Sequence, residues 1–201
     1  MAGLLASVSL EWITDRNMEY KKNEWWVTPI WEIDTGLSSD YNARLLYDLK
    51  TFGKKSYNIW NEDIPSLGPL KAKIMEALSN TVKDYFPSYY PYNPVIYNGW
   101  VQFHKKGDML HLHDHGGVIV ACVYYVKAPE DSGDLLLVDP RGSVNWDWES
   151  DGFDGAKYKR VKPKEGKLVI FPGYVMHAVD PNNSTEERVS IAINIHNHIN
   201  T

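Results

Sequence analysis

Three of the seven histidines in this chain fall within five residues, at His111, His113 and His115. Imidazole is a good ligand for iron, zinc, copper and nickel. On a strand, side chains two residues apart share a face, with Cα atoms about 6.6 Å apart. A His-x-His pair therefore has the spacing to chelate one ion, and both His111/His113 and His113/His115 satisfy it. A third ligand must come from elsewhere, and His177, in GKLVIFPGYVMHAV, is the best candidate, because antiparallel return could bring its strand beside the first. Further on, Arg188 opens RVSIAINI, where alternation sets Arg188, Ser190 and Ala192 on one face. An arginine buried beside a metal is costly unless paired with an anion, and its fork matches a carboxylate. Ser190 can add a hydroxyl to the same anion. One of Tyr124 and Tyr125 must face inward and the other outward, and an inward phenol needs a polar partner. His104, His196 and His198 read as strand-end or surface histidines.

The elements that must position these groups are also legible. The chain has 201 residues, 43% apolar and 23% charged, which is ordinary globular composition. Its net charge of -5 gives no sign of a nucleic-acid groove. A single cysteine, Cys122, excludes an intramolecular disulfide framework and a multi-cysteine zinc site, and fits a reducing, cytoplasmic setting. The longest apolar runs fall far short of the ~20 residues that span a bilayer, so no membrane partner is expected. Residues 1–10 lack a basic segment and read as a leader, not as a signal peptide.

Residues 25–33 (WWVTPIWEI) predict a strand, at an edge because of Pro29. Asp40 is expected to cap a helix to about Thr51, stopped by Gly53. Pro69 sits at the start of a second helix, with Leu70, Ile74, Ala77, Leu78 and Val82 at helical spacing. Residues 87–94, with three prolines, form a rigid connection. Candidate strands follow at 95–104, 109–115, 118–127, 134–138, 167–171, 175–179 and 188–196, with turn residues between them. Many short strands without a strand–helix rhythm predict a sandwich or jelly roll. Residues 142–160, polar but holding Trp146, Trp148 and Phe153, read as a long insertion of the kind that forms lids. The fold class is thus mainly β (α+β), a jelly roll with supporting N-terminal helices. The chain is read as one domain over 1–201, with an N-terminal part over about 11–94 and a β core over about 95–198.

The blocks Trp100-Val-Gln-Phe-His-Lys-Lys-Gly-Asp, His113-Asp-His115, Cys-Val-Tyr124-Tyr125-Val, Ser132-Gly133-Asp134, Asp139-Pro140-Arg141, Gly166-Lys-Leu-Val-Ile-Phe-Pro172, His177 and Arg188-Val-Ser190 occur in that order. Together they resemble the 2-oxoglutarate/Fe(II)-dependent oxygenases related to prolyl-4-hydroxylases, over about residues 95–196. The resemblance implies a double-stranded β-helix and a dioxygenase that uses Fe(II), 2-oxoglutarate as co-substrate and O2 to hydroxylate a C–H bond. On matching positions the metal ligands would be His113, His115 and His177. Arg188, helped by Tyr125 and Ser190, would hold the far carboxylate of 2-oxoglutarate. The wider superfamily carries His-x-Asp where this chain has His-x-His, and Asp114, between the two, would face away. The substrate would be a small molecule, a peptide or a protein side chain.

Two other readings compete. A cupin would also place three histidines in a β-barrel, but its first motif wants a glutamate four or five residues after the second histidine, where this chain has Ile119 and Val120. It also gives no role to Arg188. A non-enzymatic β-barrel with an aromatic ligand cleft would make the histidines incidental.

Overall fold

The computed structural model describes residues 27–52, 58–85, 93–141 and 158–198. Among the described residues, nine strands and two α-helices run in the order β1 (Trp31–Asp34), α1 (Ser39–Phe52), α2 (Leu67–Thr81), β2 (Pro94–His104), β3 (Leu110–His113), β4 (Val120–Lys127), β5 (Leu135–Val138), β6 (Tyr158–Val161), β7 (Lys167–Pro172), β8 (His177–Val179) and β9 (Arg188–Asn197). They form a five-stranded sheet, order β1-β7-β4-β9-β2, and a four-stranded sheet, order β3-β8-β5-β6. All pairings are antiparallel. This is a jelly roll with supporting helices, as the strand pattern predicts. No helix among the described residues is long and apolar enough to cross a membrane.

The large sheet is covered on both faces, and its alternation keeps the two sides chemically distinct. Val120, Cys122, Tyr124 and Val126 of β4, with Ile191, Ile193 and Ile195 of β9, join the core built with Leu45 and Leu49 of α1 and Leu70, Ile74 and Leu78 of α2. Ala121 and Tyr125 of β4, with Val169 and Phe171 of β7, pack instead with Leu135 and Leu137 of the small sheet. Both tyrosines are therefore buried, at 0% and 2% exposure. The expected outward tyrosine, Tyr124, points into the helical layer, where its hydroxyl donates to Asn42 Oδ1 at 2.6 Å. The expectation fails because it assumes a sheet with one wet face, whereas a near-continuous apolar strand is one covered on both sides. Replacing Tyr124 by phenylalanine leaves the buried Asn42 oxygen without its donor. We expect a loss of about 1–3 kcal/mol in unfolding free energy at unchanged denaturant slope. A denaturant midpoint equal to that of the native chain would refute the tie.

Several boundaries differ from the sequence reading. β1 starts at Trp31, two residues after Pro29, and lies at the sheet edge as expected. The α1 cap is Ser38, whose Oγ accepts from the Tyr41 N–H at 3.2 Å. Asp40 sits within the first helical turn instead, where a carboxylate favours the helix dipole. The last residues of the expected insertion form β6, paired with β5 from Leu135↔Val161 to Val138↔Tyr158. The rest of that insertion, the leader, Gly53 and most of the 87–94 connection lie outside the described residues.

Candidate metal centre

Three of the five large-sheet strands, β2, β4 and β9, and the small sheet face each other across a narrow cavity. Along its large-sheet wall, cross-strand pairs between β2 and β9 form a ladder: His104↔Arg188, Gln102↔Ser190, Trp100↔Ala192 and Asn98↔Asn194. Paired residues on an antiparallel ladder share a face. Two of these rungs, Gln102↔Ser190 and Trp100↔Ala192, line the cavity, as do Arg188, Val123 and Tyr125. The opposite wall comes from β3, β5 and β8 and carries the histidines.

His113 and His177 are direct partners in the β3–β8 pairing. Their ring centroids lie 4.2 Å apart, and that of His115 is 5.3 Å from His113 and 4.9 Å from His177. Each of the three offers a nitrogen within 4.8 Å of the others. His113 Nε2 and His115 Nε2 are 3.4 Å apart. On the far side of each ring, Nδ1 faces an oxygen: His111 O at 2.8 Å, Asn194 Oδ1 at 2.5 Å and Val175 O at 2.9 Å, for His113, His115 and His177 in turn. An oxygen at Nδ1 fixes the proton there and leaves the Nε2 lone pair for an ion. Burial lowers the pKa of His177 to about 4, and the neighbouring His113 and His115 push the same way. Burial also lowers His115. Neutral imidazoles are the form a metal takes, so this donor set fits a divalent transition ion.

The sequence spacing survives, but the predicted strand over 109–115 does not. β3 ends at His113. Asp114, turned outward, accepts the Gly116 N–H on Oδ1 at 3.0 Å, which bends the chain. His115 thus arrives from a turn, moored by its N–H to Gly173 O at 3.0 Å. Gly173 has no substitute there, since a Cβ would stand 2.4 Å from Val118 O. His111 is exposed and offers the cluster only its backbone carbonyl, whereas His113 and His115 bring ring nitrogens together with His177.

Arg188 is 2% exposed, on the cavity face of β9 as alternation predicts. Its Nη1 donates to Ser132 O at 2.9 Å and to Gly133 O at 2.8 Å, and its Nη2 donates to His104 Nδ1. Its Nε–H is buried with no partner. No salt bridge involving Arg188 occurs among the described residues. Burial depresses the pKa of the guanidinium, and Tyr125 partly offsets this. Tyr125 and Ser190, both 2% exposed, stand on the same wall as paired residues. Gly133 must approach closely here, with φ +89° and a position where a Cβ would meet Asp180 O at 2.2 Å.

His104, read as a strand-end or surface histidine, is the first of these: it closes β2 and is buried, at 8% exposure. Burial together with Arg188 lowers its pKa to about 4. A neutral His104 can accept from the guanidinium where a protonated one would repel it. The available signal was the alternation Trp100, Gln102, His104, which puts all three on the cavity face. His196, by contrast, packs its ring on exposed Tyr97 at 4.3 Å and takes no part in the centre.

The comparisons agree with this geometry. Residues 98–194 match the family described as "Putative 2OG-Fe(II) oxygenase". No curated protein matches the chain in sequence. Among solved structures it is similar to a viral collagen prolyl hydroxylase from Paramecium Bursaria Chlorella virus-1 in complex with 2OG, at 19% identity and TM-score 0.59, over 85% of this chain and 96% of that one. A Pseudomonas putida prolyl-4-hydroxylase aligns at 16% identity and TM-score 0.56, over 85% and 88%. HygX from Streptomyces hygroscopicus, bound to nickel, 2-oxoglutarate and hygromycin B, aligns at 13% and TM-score 0.63, over 87% and 85%. These likenesses establish the shared fold. Against the cupin alternative stand the family match and the placement of Val120, which packs in the helical-side core where a glutamate ligand would have to reach the histidines. Residues 98–194, which carry the three histidines and Arg188, thus match the 2OG-Fe(II) oxygenase family.

Proposed function

We propose that His113, His115 and His177 hold Fe(II), and that Arg188, with Tyr125 and Ser190, receives the far carboxylate of 2-oxoglutarate. The observation that carries this is the buried Nε–H of Arg188, without a partner, on a cavity that also holds the three histidines. A desolvated cation there calls for an anion, and a dicarboxylate with a 2-oxo acid at its other end meets both walls. Bound Fe(II), 2-oxoglutarate and O2 together supply oxidation of a C–H bond to C–OH, with release of succinate and CO2. The residues of this chain do the rest. The histidines present three lone pairs on one side, leaving coordination positions open on the other. Arg188 and its neighbours orient the co-substrate, and the closed wall behind them excludes water.

The substrate class is a small molecule or a peptide, including a protein side chain. Trp100, tilted 38° to His115 with centroids 5.8 Å apart, is an aromatic side chain of the cavity lining beside the ligands. A single domain is supported by the shared core of α1, α2, β4 and β9. A cytoplasmic setting fits the buried, unpaired Cys122.

The test is an anaerobic titration of the metal-free protein with Fe(II) and then 2-oxoglutarate. The expected result is one equivalent of each and the visible charge-transfer absorption of a chelated 2-oxo acid. Absence of that absorption with Fe(II) bound would refute the co-substrate assignment. Absence of Fe(II) binding would favour the non-enzymatic β-barrel.

A further inference from the structure

We propose that Asn194 is a positioning residue that selects the metal-binding tautomer of His115, with Asn98 setting the direction of its amide. This rests on the three-histidine reading above. The three rings are not secured alike. His113 and His177 each turn Nδ1 to a backbone carbonyl two residues earlier, an acceptor that any sequence supplies. His115 lies in a turn beyond β3 and turns Nδ1 instead to the Asn194 side chain, 79 residues away on β9, at 2.5 Å. It is the one ring of the three whose acceptor a substitution can remove.

An amide has two unlike ends. With Oδ1 toward the ring, the imidazole proton must sit on Nδ1, and the Nε2 lone pair faces His113 Nε2 and the space between the rings. With Nδ2 toward the ring, Nδ1 must accept, and the proton moves to Nε2, where it would point at a cation. The amide direction thus decides whether His115 can ligate. Something must hold that direction, and Asn98 stands directly opposite Asn194 in the β2–β9 pairing, on the same face. Asn98 is 8% exposed and its Oδ1 is buried without a hydrogen-bond partner. It is an unused acceptor on the residue across the ladder from Asn194. A turn of the Asn98 side chain that brought its oxygen to Asn194 Nδ2 would satisfy that orphan and hold Asn194 Oδ1 toward His115 Nδ1.

The experiment is anaerobic titration of the metal-free protein with Co(II), read by ligand-field absorption and dissociation constant, without turnover. Asn194→Leu keeps the volume and removes the acceptor, and should weaken Co(II) roughly 10- to 100-fold. Asn194→Asp has only acceptor oxygens, and should bind within a few-fold of the native protein. Asn98→Ala should give a loss smaller than that of Asn194→Leu. If Asn194→Leu does not fold, Asn194→Ala carries the same expectation. Native-like Co(II) affinity in the leucine or alanine variant overturns the proposal. So does an aspartate variant that loses as much as the leucine variant, since that pattern marks packing alone. The underlying reading has its own control. If the native protein binds no Co(II), or if His115→Ala binds it as the native protein does, the three-histidine centre fails and the proposal falls with it. If His115→Ala loses the metal while Asn194→Leu does not, only the positioning role is lost.

Discussion

Arg188→Met is expected to raise the dissociation constant for 2-oxoglutarate roughly 10- to 150-fold, the equivalent of about 1.5–3 kcal/mol for a charge-assisted pair. Methionine fills most of the buried volume but donates nothing. The same substitution strips hydrogen bonds from the Ser132 and Gly133 carbonyls and from His104. Each buried group left unsatisfied costs about 1–3 kcal/mol, so a lower melting temperature should accompany the binding defect. The two effects separate in a titration of Fe(II)-loaded protein below the variant's melting transition. Fe(II) affinity should be close to native, because no histidine ligand touches the guanidinium through a hydrogen bond. A native dissociation constant for 2-oxoglutarate in a folded variant would remove Arg188 from the co-substrate site.

His177→Ala should have the larger effect on the metal. Losing an outer hydrogen-bond partner of a ligand typically costs 10–100-fold in affinity, and losing a ligand outright should exceed that. The fold should survive the change. β8 is held by backbone pairing to β3 on one side and β5 on the other, and these bonds do not depend on the side chain. Circular dichroism should be unchanged while Fe(II) or Co(II) binding is lost. Native affinity in a folded His177→Ala would sink the three-histidine centre. Because His177 is 3% exposed and packs against Phe171 at 4.9 Å, a modest loss of thermal stability is also expected.

The grouping of the candidate ligands was more legible in the sequence than the strands that carry them, and particular residues show why. His113 and His115 were visible because a two-residue spacing suits chelation, and it does bring the two rings together with His177 even though His115 sits past the end of β3. Arg188 and Ser190 were visible because β9 alternates between a greasy face and a polar one. β6, by contrast, is Tyr158-Lys-Arg-Val161, an edge strand that buries only Val161, so neither hydrophobicity nor alternation announces it. The partner of His104 was not legible because a lone histidine at a strand end carries no local signal. Its role depends on Arg188, 84 residues away, and on the register that pairs them. The helix start at Ser38 was missed because serine and aspartate are both good caps, and only the geometry chooses between them.

The strand β4 divides two worlds, and this constrains the gene as well as the protein. Its even-numbered side chains belong to the helical layer and its odd-numbered ones to the side of the small sheet. Deleting or inserting one codon between Val120 and Tyr125 would exchange the two sets. The phenol meant for Asn42 would swing into the cavity, and the one meant for the cavity would press against helices. The single irregularity in its pairing with β9 comes only after Tyr125, between Tyr125 and Lys127. Lineages of this protein should therefore vary in loop length on either side of that stretch while its residue count stays fixed.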